Sequence, residues 1–179
     1  AAGTGGLDTR DFDGGCFDGR YAYFAPLANA VALRHDTRAG FQDSKAWEAY
    51  DCATRFGMKR NVGVIFDGQY VYYVPYGECP VAVRFDTRRP FADKRAWQAY
   101  ELKRTPGMIL GFDGACFDGR YVYYIPYYDE GTVAHGVLLR YDTQEDFENT
   151  ASWSCRDATQ TGGMFTGGFN GAAFDGRFI

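Results

Sequence analysis

The chain has 179 residues, enough for one ordinary domain, with 19 basic and 23 acidic side chains and a formal net charge of −4. That balance excludes the basic stripe of a nucleic-acid surface, and no apolar run approaches the roughly 18 residues of a membrane span. Phe (15) and Tyr (14) point to an aromatic core, and 23 Gly point to many tight turns.

The start, Ala1-Ala2-Gly3, has neither an initiator Met nor a signal-peptide pattern, so a processed product or a piece of a longer chain is expected. A Gly-rich lead then ends in Cys16-Phe17, followed by the turn pair Asp18-Gly19. Asp-Gly between two β-rich runs signals a hairpin, with positive φ expected at both central residues of a type I′ turn. The next run is aromatic and β-branched, clearest in Tyr70-Val71-Tyr72-Tyr73, which suits a strand. Its bulk on both alternating faces predicts neighbouring sheets on both sides. Pro75 and Pro126 stop this strand, because Pro donates nothing to a ladder. An apolar run ending in Arg-x-Asp-Thr follows, as in Val81 to Thr87, and then a segment opened by Trp97. That last segment reads as a further strand, with short helices over Ser44 to Cys52 and Lys94 to Leu102 as the alternative.

This unit repeats. Phe17, Phe66, Phe117 and Phe174 each open a Phe-Asp-Gly; Asp36, Asp86 and Asp142 each open an Asp-Thr; Trp47, Trp97 and Trp153 keep the same spacing of about 50 residues. The segment from Thr4 to Arg20 aligns without gaps on the segment from Thr161 to Arg177, three periods later. The prediction is a single repeat domain over 1–179, with repeats at about 12–61, 62–111 and 112–168, and 169–179 opening a fourth.

Four short strands per unit predict an all-β fold, a β-propeller-like array of four-stranded blades that three and a third copies leave incomplete. The apolar strand, the Arg-Phe-Asp-Thr or Arg-Tyr-Asp-Thr turn and the Trp opening the next strand resemble kelch-type propeller repeats. The resemblance departs at the Gly-Gly doublet, where Pro-Tyr stands here, and in the longer step to the Trp. A β-trefoil is the alternative, since it is also built from three repeats. Completion of the ring by a second copy, or by more chain, is expected.

The chemistry is sparse. No zinc, nucleophile-elbow or phosphate-loop spacing occurs, so no cofactor, no metal site and no catalytic residue is assigned. The five cysteines show no C-x-x-C and no disulfide framework, and the compartment stays open. Arg34, Arg84 and Arg140 stand two residues before an Asp, on the same strand face, and read as Arg–Asp pairs serving each turn. Asp18, Asp67, Asp118 and Asp175 read as turn residues.

The loops remain. Tyr76 and Glu78 follow one proline stop; Tyr127, Tyr128, Asp129 and Glu130 follow the other, in an insertion that runs to His135 and Gly136. Tyr beside carboxylates can stack on a sugar face and accept its hydroxyl protons. The expected function is non-catalytic binding of a glycan or a protein through these loops. Part of a propeller-type glycosidase or lyase, and a self-associating structural array, are the alternatives.

Overall fold

The structure, a computed structural model, describes residues 3–129 and 132–179. In chain order the strands are β1 (Phe12–Phe17), β2 (Tyr21–Pro26), β3 (Val31–Asp36), β4 (Trp47–Asp51), β5 (Asn61–Phe66), β6 (Tyr70–Pro75), β7 (Val81–Asp86) and β8 (Trp97–Glu101). They continue as β9 (Phe112–Phe117), β10 (Tyr121–Pro126), β11 (Tyr128–Asp129), β12 (Val133–Ala134), β13 (Val137–Asp142) and β14 (Trp153–Asp157), and an α-helix, α1, covers Cys52–Phe56. Three antiparallel four-stranded sheets form, in the orders β1-β2-β3-β4, β5-β6-β7-β8 and β9-β10-β13-β14. These are blades 1, 2 and 3 of a β-propeller-like array. The trefoil alternative is overturned, because the strands form separate blades and no closed barrel among the described residues.

The blades stack face to face through two aromatic cores. Tyr72 and Tyr73 are neighbours in β6, so their side chains leave opposite faces. Tyr73 joins the core shared with blade 1, where Tyr23, Phe85, Phe91 and Trp97 meet. Tyr72 joins the core shared with blade 3, with Tyr100, Tyr141, Phe147 and Trp153. Both faces of the central blade are thus covered, as the bulk of β6 required.

The first strand of each blade (β1, β5 and β9, the inner strands) carries a bulge at the same place, seen as a register shift between Phe12 and Gly15, Asn61 and Val64, and Phe112 and Ala115. The residue in the bulge is Gly14, Gly63 or Gly114, with φ of 86°, 84° and 85°. A Cβ on Gly14 would meet the Gly63 Cα at 3.0 Å, and one on Gly114 would meet the Gly171 Cα at 2.8 Å. The inner strands therefore approach through glycine, blade by blade.

Three local expectations need correcting. In the Asp-Gly turns only the glycine has positive φ (99° at Gly19, 105° at Gly68, 101° at Gly119), so the paired positive values of a type I′ turn are absent. The Asp instead caps the turn. Asp67 Oδ1 accepts the N–H groups of Gln69 and Tyr70, and its Oδ2 accepts the Tyr72 hydroxyl at 2.7 Å. The Trp segments are neither all strand nor all helix: a 3-10 turn at Ser44–Ala46 or Lys94–Ala96 precedes each strand, and α1 follows β4. The fourth-repeat segment 169–174 forms no strand, since β2-type partners for it are missing among the described residues. It docks on blade 3 all the same, with Gly171 N–H donating to the Asp113 carbonyl at 2.9 Å.

The Arg-x-Asp pairs are also rearranged. Asp36 sits at a strand end and bonds Arg20 of the neighbouring turn at 2.6 Å, and Asp142 bonds Arg120 at 2.7 Å. Thr37, Thr87 and Thr143 donate to the backbone carbonyl of Arg20, Gln69 and Arg120 respectively. The arginines turn instead to the neighbouring strand and to the next blade: Arg34 pairs with Glu48 at 2.7 Å and lies over Phe91 at 4.7 Å, and Arg84 donates to the Gln98 side-chain oxygen at 2.9 Å and lies over Phe147 at 4.5 Å. All five cysteines are free thiols.

Candidate functional site

The loops after the two proline stops meet at the junction of blades 2 and 3. The Tyr76 N–H donates to the Arg60 carbonyl at 2.9 Å, tying the loop after β6 to the segment leading into β5. Cys79 is buried beneath, its sulfur accepting the Lys59 N–H at 3.4 Å. Burial pushes that thiol above its ordinary value, so it serves as an anchor and not as a nucleophile. On the blade 3 side the Tyr127 N–H donates to the Gly111 carbonyl at 3.0 Å.

A groove of about 300 Å³ results, lined by Lys59, Arg60, Tyr76, Glu78 and Tyr128 among others. The rings of Tyr76 and Tyr127 lie 6.1 Å apart, and those of Tyr127 and Tyr128 meet edge-on at 4.5 Å. The Arg60 guanidinium rests over the Tyr76 ring at 5.1 Å. Lys59 and Glu78 approach to 3.8 Å, both well exposed, so their charges stay available to a ligand. The groove thus offers aromatic faces, two cations and a carboxylate.

Of the residues singled out from the sequence, Tyr76, Glu78, Tyr127 and Tyr128 are brought together. Asp129 is adjacent but turned to local work, its carboxylate accepting the Val133 N–H at 2.8 Å across the β11–β12 ribbon. Glu130 lies outside the described residues. His135 is buried at 5% exposure, Nε2 against the Gly111 carbonyl at 2.9 Å and Nδ1 accepting the Val137 N–H at 3.3 Å. It braces the base of the loop and lies outside the groove. Lys59 and Arg60 escaped the sequence reading, because they precede β5 and reach Tyr76 only after the blade has folded.

Two other places hold unusual chemistry. On the inner strands, burial and then the charge of Asp13 hold the Asp113 carboxyl above its ordinary range. Blade 2 has Val62 at this position and the fourth repeat has Asn170, so the acidic pair is not a repeat feature. Neither carboxylate lines the groove. A cleft of about 780 Å³ lies on the outward face of blade 1 among Phe12, Phe24, Phe41 and Trp47. Its lining repeats positions that are core between blades, so its size reflects an uncovered blade face and not a ligand pocket.

Among the described residues no cluster of three or more His, Cys, Asp or Glu could hold a metal ion. No helix among the described residues is long and apolar enough to cross a membrane. No family model matches the chain, and no curated protein matches it.

Proposed function

We propose that this chain is a non-catalytic binding module of kelch-like repeats that recognises a glycan or a protein through its blade loops, with the groove between blades 2 and 3 as the site. The observation that carries this reading is the convergence of Tyr76, Tyr127 and Tyr128, from two different blades, around Lys59, Arg60 and Glu78. Stackable rings beside both signs of charge suit a sugar face bearing hydroxyls, which favours a glycan. Completion of the array by a further blade belongs to the same reading.

A glycan array on the 179-residue chain tests it, with binders measured again on Tyr76→Ala and Tyr128→Ala. Each truncation should weaken binding by about tenfold or more, about 1.4 kcal/mol. Unchanged affinity in both variants would move the site elsewhere, and blank glycan and protein screens would end the reading. The alternative, part of a propeller-type glycosidase or lyase, would need a non-repeated acid such as Asp113, whose carboxyl burial holds above its ordinary range, to face a substrate pocket. It requires hydrolysis or elimination that Asp113→Asn abolishes.

A further inference from the structure

We propose that blade 3 of one copy docks on blade 1 of a second copy, with residues 169–175 of the first pairing with β2 in the place that β1 of the second otherwise holds. The occupant of both open faces is thus this chain itself.

The two internal blade junctions supply the template. Tyr23 meets Phe85 and Phe91 at 6.0 and 6.4 Å, and Tyr50 stacks on Trp97 at 4.4 Å with an interplanar angle of 9°. One repeat later Tyr72 meets Tyr141 and Phe147 at 6.1 and 6.2 Å, and Tyr100 stacks on Trp153 at 4.5 Å and 7°. Each junction adds one buried arginine, Arg34 or Arg84, over the Phe of the next blade.

Half of this set is left at each end. Blade 3 presents Tyr123, Arg140 and Arg156, the last at the Tyr50 and Tyr100 position, around an open cleft of about 490 Å³. Blade 1 presents His35, Phe41 and Trp47. Phe41 is 68% exposed, whereas its counterparts Phe91 and Phe147 are 0% exposed. Two guanidinium groups on one face and the rings of Phe41 and Trp47 on the other are complementary.

A buried polar atom marks the same junction. His35 Nε2 is buried with no hydrogen-bond partner. Its counterpart in blade 3 is the Tyr141 hydroxyl, which receives the Arg84 Nη1 hydrogen bond at 2.8 Å. Arg140 of the preceding copy occupies the position from which that bond would be donated to His35.

The inner-strand slot of the next blade is already filled from within. Gly171, with φ of 79°, lies against Gly114 as Gly63 lies against Gly14. Asp175 Oδ1 already caps the N–H groups of Arg177 and Phe178, as Asp18 caps Arg20 and Tyr21. In each complete blade the second carboxylate oxygen of this Asp accepts a tyrosine hydroxyl from the following strand. Tyr23 of the second copy would supply it. Residues 161–177 align on residues 4–20 without a gap, so 169–174 can take the register of 12–17 on β2; Ala172 then stands at Gly15, where a Cβ meets the Tyr23 carbonyl oxygen at 2.8 Å and β2 must give locally, as it does opposite Val64 and Ala115 in blades 2 and 3. One slot cannot hold both copies, so the second copy releases its own segment. The exchange swaps a strand for its own repeat and keeps the ladder, while adding a new blade junction.

Light scattering on the full chain over a range of concentrations should report masses above one protomer. Arg140→Glu and Phe41→Glu, both at exposed positions, should each return it to monomer. The register places Phe174 of one copy opposite Ala22 of the other. Mixing Ala22→Cys chains with Phe174→Cys chains under oxidation should therefore give a covalent dimer that neither gives alone. A monomer at every concentration overturns the proposal. Association without that specific cross-link also overturns it, since the contact would then lie on another face.

Discussion

The Arg84 guanidinium donates to the Tyr141 hydroxyl at 2.8 Å, bonding β7 of one blade to β13 of the next. The same hydroxyl donates to the Glu145 carbonyl at 2.7 Å, so Tyr141 links the junction to its own turn. Burial pushes this hydroxyl up to about 12, which keeps its proton in place at neutral pH. Tyr141→Phe removes both bonds and leaves a buried cation short of an acceptor. The expected loss is about 1.5–3 kcal/mol in urea melts. A loss near zero would mean that water replaces the hydroxyl and that the junction is open.

The tryptophans should differ by position. Trp97 and Trp153 are buried between blades, each with its indole N–H donating at 2.8 Å to the carbonyl of the Phe six residues earlier. Trp47 makes the same bond at 3.0 Å but is only half-buried, because no blade among the described residues covers that face of blade 1. Trp97→Ala should cost about 3–5 kcal/mol, and Trp47→Ala clearly less. Equal losses would contradict the stacking order.

The hydroxyls of Tyr73 and Tyr124 are buried without a hydrogen-bond partner, and blade 1 has Phe24 at the equivalent position. Tyr73→Phe and Tyr124→Phe should therefore be neutral or stabilising, by up to about 1 kcal/mol. Destabilisation by either change in thermal melts would reveal an ordered water in the junction.

Gly14→Ala and Gly19→Ala separate crowding from backbone strain. Both have positive φ, but a Cβ on Gly19 meets nothing within 4 Å, whereas one on Gly14 meets the Gly63 Cα at 3.0 Å. Gly19→Ala should lose about 1–2 kcal/mol from backbone strain alone. Gly14→Ala should lose more, because backbone must move. The reverse order in chemical denaturation would refute the close approach of the inner strands.

Acid should loosen the strand-end ion pairs. The hydrogen bond from Arg20 holds Asp36 below its ordinary value, and that from Arg120 does the same for Asp142. A carboxylate depressed in the folded state contributes stability above its unfolded pKa, and the contribution disappears as pH falls through the folded one. The melting temperature should thus drop on the acid side of the ordinary carboxylate range. Arg20→Gln with Arg120→Gln should flatten that limb by lowering neutral-pH stability by the same amount, a small one because both pairs are largely exposed, so that the variant and the parent converge in acid. An unaltered acid limb would assign acid lability to other carboxylates.

Much of the architecture was legible in local chemistry. Phe-Asp-Gly, Asp-Thr and the Trp recur because each blade needs its own turn cap, strand end and junction ring, so the repeat printed the four-stranded unit directly. The prolines at 75 and 126 ended strands, as Pro must. The tyrosines of the groove were recognisable too, being aromatic residues in loops just past those stops.

What the chain alone left open was whatever depends on which blade faces which. Arg34 and Asp36 share a strand face, yet their partners lie elsewhere: Asp36 finds Arg20 in the adjacent turn, and Arg34 finds Glu48 on the next strand and Phe91 in the next blade. His135 looked like a loop ligand because spacing carries no burial, and packing made it a brace. Lys59 and Arg60 joined the groove only through the fold of blade 2. Periodicity records what every unit requires of itself; contacts between units arise from stacking, which brings together residues that no local pattern connects.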